Sequence, residues 1–134
     1  MTENVRLGHV VSLFELWNDH PLGLVFGFGL GSEFYSSGSG KIGSNIEPDH
    51  LNVIRKYGLI WAMMFFLWVL GVSRSAINGN AVQVRALGWS LFFAFVVCGS
   101  NPVLISPLFF CVFFMTVSAI RHEQLRNKVQ LKLL

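Results

Sequence analysis

The chain has 134 residues, 53% of them hydrophobic and 13% charged, with a mean hydropathy of +0.56. Soluble domains carry about 25% charged residues, so this composition excludes an ordinary solvated domain and points to an all-α integral membrane protein. The net charge of +3 hides an asymmetry: two cations face six carboxylates in residues 1–52, and eight cations face one carboxylate in residues 53–134. Those eight flank apolar runs and form no stripe with stacking aromatics, which excludes nucleic acid as the expected partner and favours a role in membrane orientation.

Cys98 and Cys111 both lie inside apolar runs and read as small packing residues. No Cys/His spacing fits a metal site and no nucleotide fingerprint is visible, so neither a metal nor another cofactor is expected. The first twenty residues include Glu3, Arg6, His9, Glu15 and Asp19 and lack the apolar stretch of a signal peptide.

In chain order, residues 5–17 repeat apolar groups at helical spacing (Val10, Leu13 or Phe14, Trp17) and predict a short amphipathic helix. Arg6 and His9 share a face of it, and Pro21 ends it because the residue before a proline avoids the helical region. Pro21 to Gly31 is apolar, short and glycine-rich, so it reads as a loop or re-entrant backbone. The whole of 23–45 is expected to be a Gly/Ser-rich loop. A long helix is expected to start at Pro48, with Asp49 at the positive end of its dipole, and to continue into a transmembrane helix at about 53–73. Ser73 to Asn80 reads as a turn. A second span is expected at 81–99, a break at Ser100-Asn101-Pro102, and a third span at 103–120 in spite of Pro107. Residues 121–134 form a basic tail, a surface helix with Leu125, Val129 and Leu133 along one side.

This gives about three transmembrane helices preceded by an outward-facing region, residues 1–52. The cations of the 74–85 loop and of the tail place both on the cytoplasmic side. An alternative, with 81–120 as one re-entrant hairpin, puts the tail outside and breaks the charge rule. Moving an acidic, signal-free segment of this length outward ahead of the first span is unusual. Upstream transmembrane helices would remove the difficulty, so the chain is expected to be the C-terminal piece of a larger membrane protein or a truncated relative of one.

Candidate chemistry gathers between Gly27 and Gly58. His50 shares a helix face with Ile54 and Tyr57, while Asp49, Asn52 and Lys56 form a neighbouring polar face. His50 and Asp49 are either anchoring residues at a helix start or members of a site. Arg55 and Lys56 flank a span on its outward side, where the charge rule calls for no cations, so an anion is expected there: a lipid headgroup or a lipid-linked pyrophosphate. Gly27, Gly29 and Gly31 lie in a run that either presents backbone N–H groups to an anion or is simply a hydrophobic loop.

This order of features resembles the O-antigen polymerase and ligase family. An arginine-led amphipathic helix, Pro-Leu-Gly with Gly-Phe-Gly-Leu-Gly-Ser, then Glu-Pro-Asp-His entering a span through Tyr-Gly-Leu-Ile, is similar to the large periplasmic loop and last helices of that family. The resemblance implies that Arg6 is the arginine opening the loop, that Gly27, Gly29 and Gly31 form the glycine turn, and that His50 is the loop histidine. Seven residues separate His50 from Gly58, a shorter interval than in the ligases, which brings the pattern closer to the polymerases. The implied reaction is glycosyl transfer from undecaprenyl pyrophosphate to an acceptor sugar at the outer face of a bacterial inner membrane. Arg6, Arg55 and Lys56 would hold the pyrophosphate, and His50 or Asp49 the acceptor. The implied partners are membrane lipid, the undecaprenyl-pyrophosphate-linked glycan and other polysaccharide-assembly membrane proteins. The competing expectation is a small non-enzymatic membrane protein with an accessory, structural or transport role.

Overall fold

Proline and glycine punctuate the first half of the chain. The structure, a computed structural model, describes residues 2–43, 49–97, 104 and 106–132. Helix α1 (Thr2–Asp19) stops at His20, and Pro21 opens a six-residue helix α2 (Pro21–Phe26) at its first position, where a missing N–H costs nothing. Two three-residue strands follow, β1 (Phe34–Ser36) and β2 (Lys41–Gly43), paired antiparallel with Tyr35 opposite Ile42. Then come α3 (Asp49–Tyr57), α4 (Leu59–Ile77), α5 (Val82–Val97) and α6 (Pro107–Lys132).

Two compact units divide these elements, one up to Phe65 and one from Phe66 onward among the described residues. In the first, α1 buries His9, Ser12, Leu13 and Trp17, one stripe at helical spacing, and leaves Leu7, Val11 and Phe14 exposed. Strand β1 alternates, with Phe34 and Ser36 inward and Tyr35 outward, as the period of a strand requires. Leu13, Trp17 and Phe34 form a buried cluster in this unit, with Leu24, Phe28, Leu51 and Ile54 packed around them.

In the second unit, Phe66 meets Phe95 at one end and Gly88 fits against Ala76 and Ile77 toward the other, so α4 and α5 run antiparallel. The Trp68 ring sits 4.7 Å from that of Phe113, and Ala81 N–H donates to Glu123 Oε1 at 2.6 Å, so α6 runs parallel to α4 and antiparallel to α5. Glu123 thereby caps the start of α5 from a different helix, accepting at the positive end of its dipole. Among the described residues, two helices are long and apolar enough to cross a membrane, Leu59–Ile77 and a window within Pro107–Gln130, while α5 is a shorter apolar helix of 16 residues.

Several boundaries differ from the sequence expectations. The helix expected to run unbroken from Pro48 into the first span is interrupted at Gly58, which has φ +86°. The 23–45 segment contains the end of α2 and a hairpin. Helix α4 continues to Ile77 through what read as a turn, and α6 carries the basic tail on as one helix of 26 residues. The Pro48 start, Cys98, the Ser100–Pro102 break and Leu133 lie outside the described residues.

Candidate functional site

The site is built where α3 meets the glycine run. Phe28 N–H donates to Arg55 O at 2.8 Å and Gly29 N–H to Lys56 O at 3.0 Å, satisfying carbonyls that the end of α3 would otherwise leave without helical partners. The approach is backbone against backbone. A Cβ at Gly27 would lie 2.5 Å from Lys56 O, and one at Gly58 would lie 2.3 Å from Val25 O. Both glycines have positive φ, +84° and +86°. The pair forms a joint that only glycine fits without strain.

Arg55 locks this joint. It is 0% exposed, its Nη1 donates to Ser32 O at 2.9 Å and Ser32 Oγ at 2.7 Å, and its Nη2 donates to Asn52 Oδ1 at 3.2 Å. Its guanidinium lies 5.1 Å from the Phe34 ring centroid, within cation–π range. Ser32 Oγ in turn donates to Gly29 O at 2.8 Å. One side chain therefore ties α3, the glycine run and β1 together. Burying a cation is costly without such partners, and these supply a fork of charge-assisted bonds. Burial pulls the guanidinium below its ordinary value, and arginine starts so high that it stays charged.

Beside it, Asp49 and Asn52 are each 3% exposed, and His50 and Lys56 are half-buried. The Lys56 ammonium is lowered first by burial and then by the charge of Arg55, against the opposing pull of Asp49. Arg6 lies on the exposed side of α1. The structure thus gathers Asp49, His50, Arg55 and Lys56 on one nine-residue helix that leads through Gly58 into α4. Of the glycines singled out in sequence, Gly27 is a packing joint, Gly29 also has positive φ, at +92°, and the space beyond Gly29 and Gly31 is open. The N–H groups of Gly27, Phe28, Gly29 and Ser32 are all engaged by backbone carbonyls, so these four are not held out toward an anion.

A second polar cluster was not singled out in the sequence. His9 Nδ1 is hydrogen-bonded to Ser36 Oγ, and Ser12 Oγ lies 2.9 Å from Ser37 Oγ. Both His9 and Ser36 are buried, so the pair latches the hairpin to α1 rather than offering a nucleophile. Its signal was the spacing of His9, Ser12 and Leu13 on one helix face; Arg6, expected on that face, lies on the exposed side. Among the described residues, no group of three or more His, Cys, Asp or Glu side chains is arranged to hold a metal ion.

Compared with protein-family models, with curated proteins and with solved structures, the chain matches none.

Proposed function

We propose that the chain is the C-terminal, membrane-embedded part of a bacterial surface-polysaccharide polymerase or ligase, which transfers a glycan from undecaprenyl pyrophosphate to an acceptor sugar. One observation carries the reading: a polar helix bearing Asp49, His50 and Lys56, braced by a buried Arg55, runs through a glycine joint into an apolar helix of 19 residues. A lipid-linked pyrophosphate has its charge at that same boundary between polar and apolar surroundings. Polar and ionisable groups there are expensive unless they are used.

In this reading α4, α5 and α6 are three spans, residues 1–52 are periplasmic and the C-terminus is cytoplasmic. The up-down-up order of the helices supports it. So does the position of Arg74, Arg85, Arg121, Arg126 and Lys128, which the antiparallel pairing gathers toward one end of the second unit.

The acceptor hydroxyl attacks the anomeric carbon, a C–O bond to the sugar forms, and the C–O bond to the pyrophosphate breaks. The hydroxyl proton passes to His50, the half-buried member of the expected pair, since the Asp49 side chain is 3% exposed. Lys56 and Arg6 neutralise the departing undecaprenyl pyrophosphate. Arg55, which the sequence places beside Lys56, has a positioning role because both of its Nη groups are engaged inside the fold.

The test is alanine at Arg6, His50 and Lys56 in the intact polysaccharide-assembling protein, scored by polymer length and yield. Loss of a general base is expected to slow transfer about 10²–10⁴-fold. Unchanged polymer in all three variants at equal membrane abundance would overturn the proposal and favour an accessory protein.

A further inference from the structure

Between α4 and α6 runs a groove of about 550 Å³, confined to the second unit. Its lining changes along its length. Trp68 and Val117 border an apolar stretch, and Ser75, Arg121 and Gln124 border the far end. Because α4 and α6 are parallel, the polar residues of both helices fall at the same end. Residues 68, 71 and 75 of α4 and 117, 121 and 124 of α6 are spaced as single helix stripes, so both stripes face the groove along its length. Gly71 also lines it, and a Cβ there would meet nothing within 4 Å. Glu123 does not cancel Arg121, because its carboxylate is turned to Ala81 N–H on α5.

We propose that this groove holds one anionic phospholipid, with an acyl chain over Gly71 between Trp68 and Val117 and the phosphate against Arg121 and Gln124. The inference rests on the membrane part of the reading above and not on glycosyl transfer. The graded lining argues for this occupant. An acyl chain matches the apolar stretch, and a guanidinium paired with an amide donor matches a phosphodiester. A groove of this size suits one ligand chain, and basic pockets between spans on the cytoplasmic side hold anionic headgroups.

The experiment uses the full chain reconstituted in vesicles, with Trp17, Trp61 and Trp89 changed to Phe so that Trp68 is the sole fluorophore. Quenching by dibrominated phosphatidylglycerol is compared with quenching by dibrominated phosphatidylcholine. The expected preference for the anionic lipid is about five-fold, the worth of one arginine near a membrane surface. It should vanish in Arg121→Gln, persist in part in Arg121→Lys, and give way to weak quenching by both lipids in Gly71→Leu, with helicity checked by circular dichroism. Equal quenching by the two lipids, or a preference that survives Arg121→Gln, would overturn the proposal. Absence of quenching by either lipid would also overturn it and indicate that a protein segment covers the groove. A chain that does not enter vesicles at all would instead refute the membrane reading beneath it.

Discussion

Replacing Gly58 with alanine should open the joint between the glycine run and α3. Two separate terms contribute. Holding a non-glycine residue at φ +86° costs roughly 1–2 kcal/mol. The new Cβ, 2.3 Å from Val25 O and 2.5 Å from Phe26 C, meets backbone that cannot swing away, so overpacking adds about 1–3 kcal/mol. The reduced freedom of the unfolded chain returns about 0.5 kcal/mol. A net loss near 3 kcal/mol speeds exchange of the Phe28 and Gly29 amides roughly a hundred-fold, since about 1.4 kcal/mol is a factor of ten. Hydrogen–deuterium exchange of the peptides covering 20–32 and 49–58 reads this directly. The same chain supplies its own controls. Gly29→Ala carries the φ term alone, because φ is +92° with open space around it. Gly31→Ala has open space and no positive φ, so it should be nearly silent. The expected order of protection is Gly31→Ala, then Gly29→Ala, then Gly58→Ala and Gly27→Ala together. If Gly58→Ala exchanges like Gly31→Ala, the joint is not what holds this segment.

Arg55→Ala should destabilise the first unit by roughly 3 kcal/mol, because it removes charge-assisted bonds to Ser32 and to the buried Asn52 and empties the space of a fully buried side chain. Thermal unfolding followed at Trp17 checks this, and a variant that unfolds normally yet loses glycan transfer would return Arg55 to direct pyrophosphate binding. Lys56 supplies a pH prediction. With its folded value lowered, it loses its charge below the ordinary lysine range, so the affinity proposed for a pyrophosphate should fall as pH rises through that window. Over the same window the unfolded chain still holds the proton, so folding stability rises with pH. Lys56→Arg should extend activity to higher pH, and an unchanged alkaline limb would count against Lys56 as the anion's partner.

Hydropathy made the helical class and the two long apolar helices α4 and α6 legible from the residues alone. The stop before Pro21 was equally legible, since a proline excludes its own N–H and constrains its predecessor wherever it stands. The hairpin was not. A three-residue strand carries little periodic signal, and Ser37 to Gly40 reads equally well as a loose linker until His9 and Ser12 fix it to α1.

The stretch from Gly27 to Gly58 shows where the division falls. Its residue types placed polar groups at the mouth of an apolar helix, because that is a property of order along the chain. Helical spacing also put Asp49, Asn52 and Lys56 on one side of α3, because the period of a helix is fixed by local geometry. Only the tertiary structure decided that Gly58 breaks the helix, since an isolated glycine is tolerated within one and the break needs the backbone of Val25 to Gly27 pressed against it. Only the tertiary structure turned Arg55 from a cation at a bilayer edge into a buried brace. Its partner Ser32 is 23 residues away in sequence, and burial depends on what the chain folds over a residue, which no local pattern encodes.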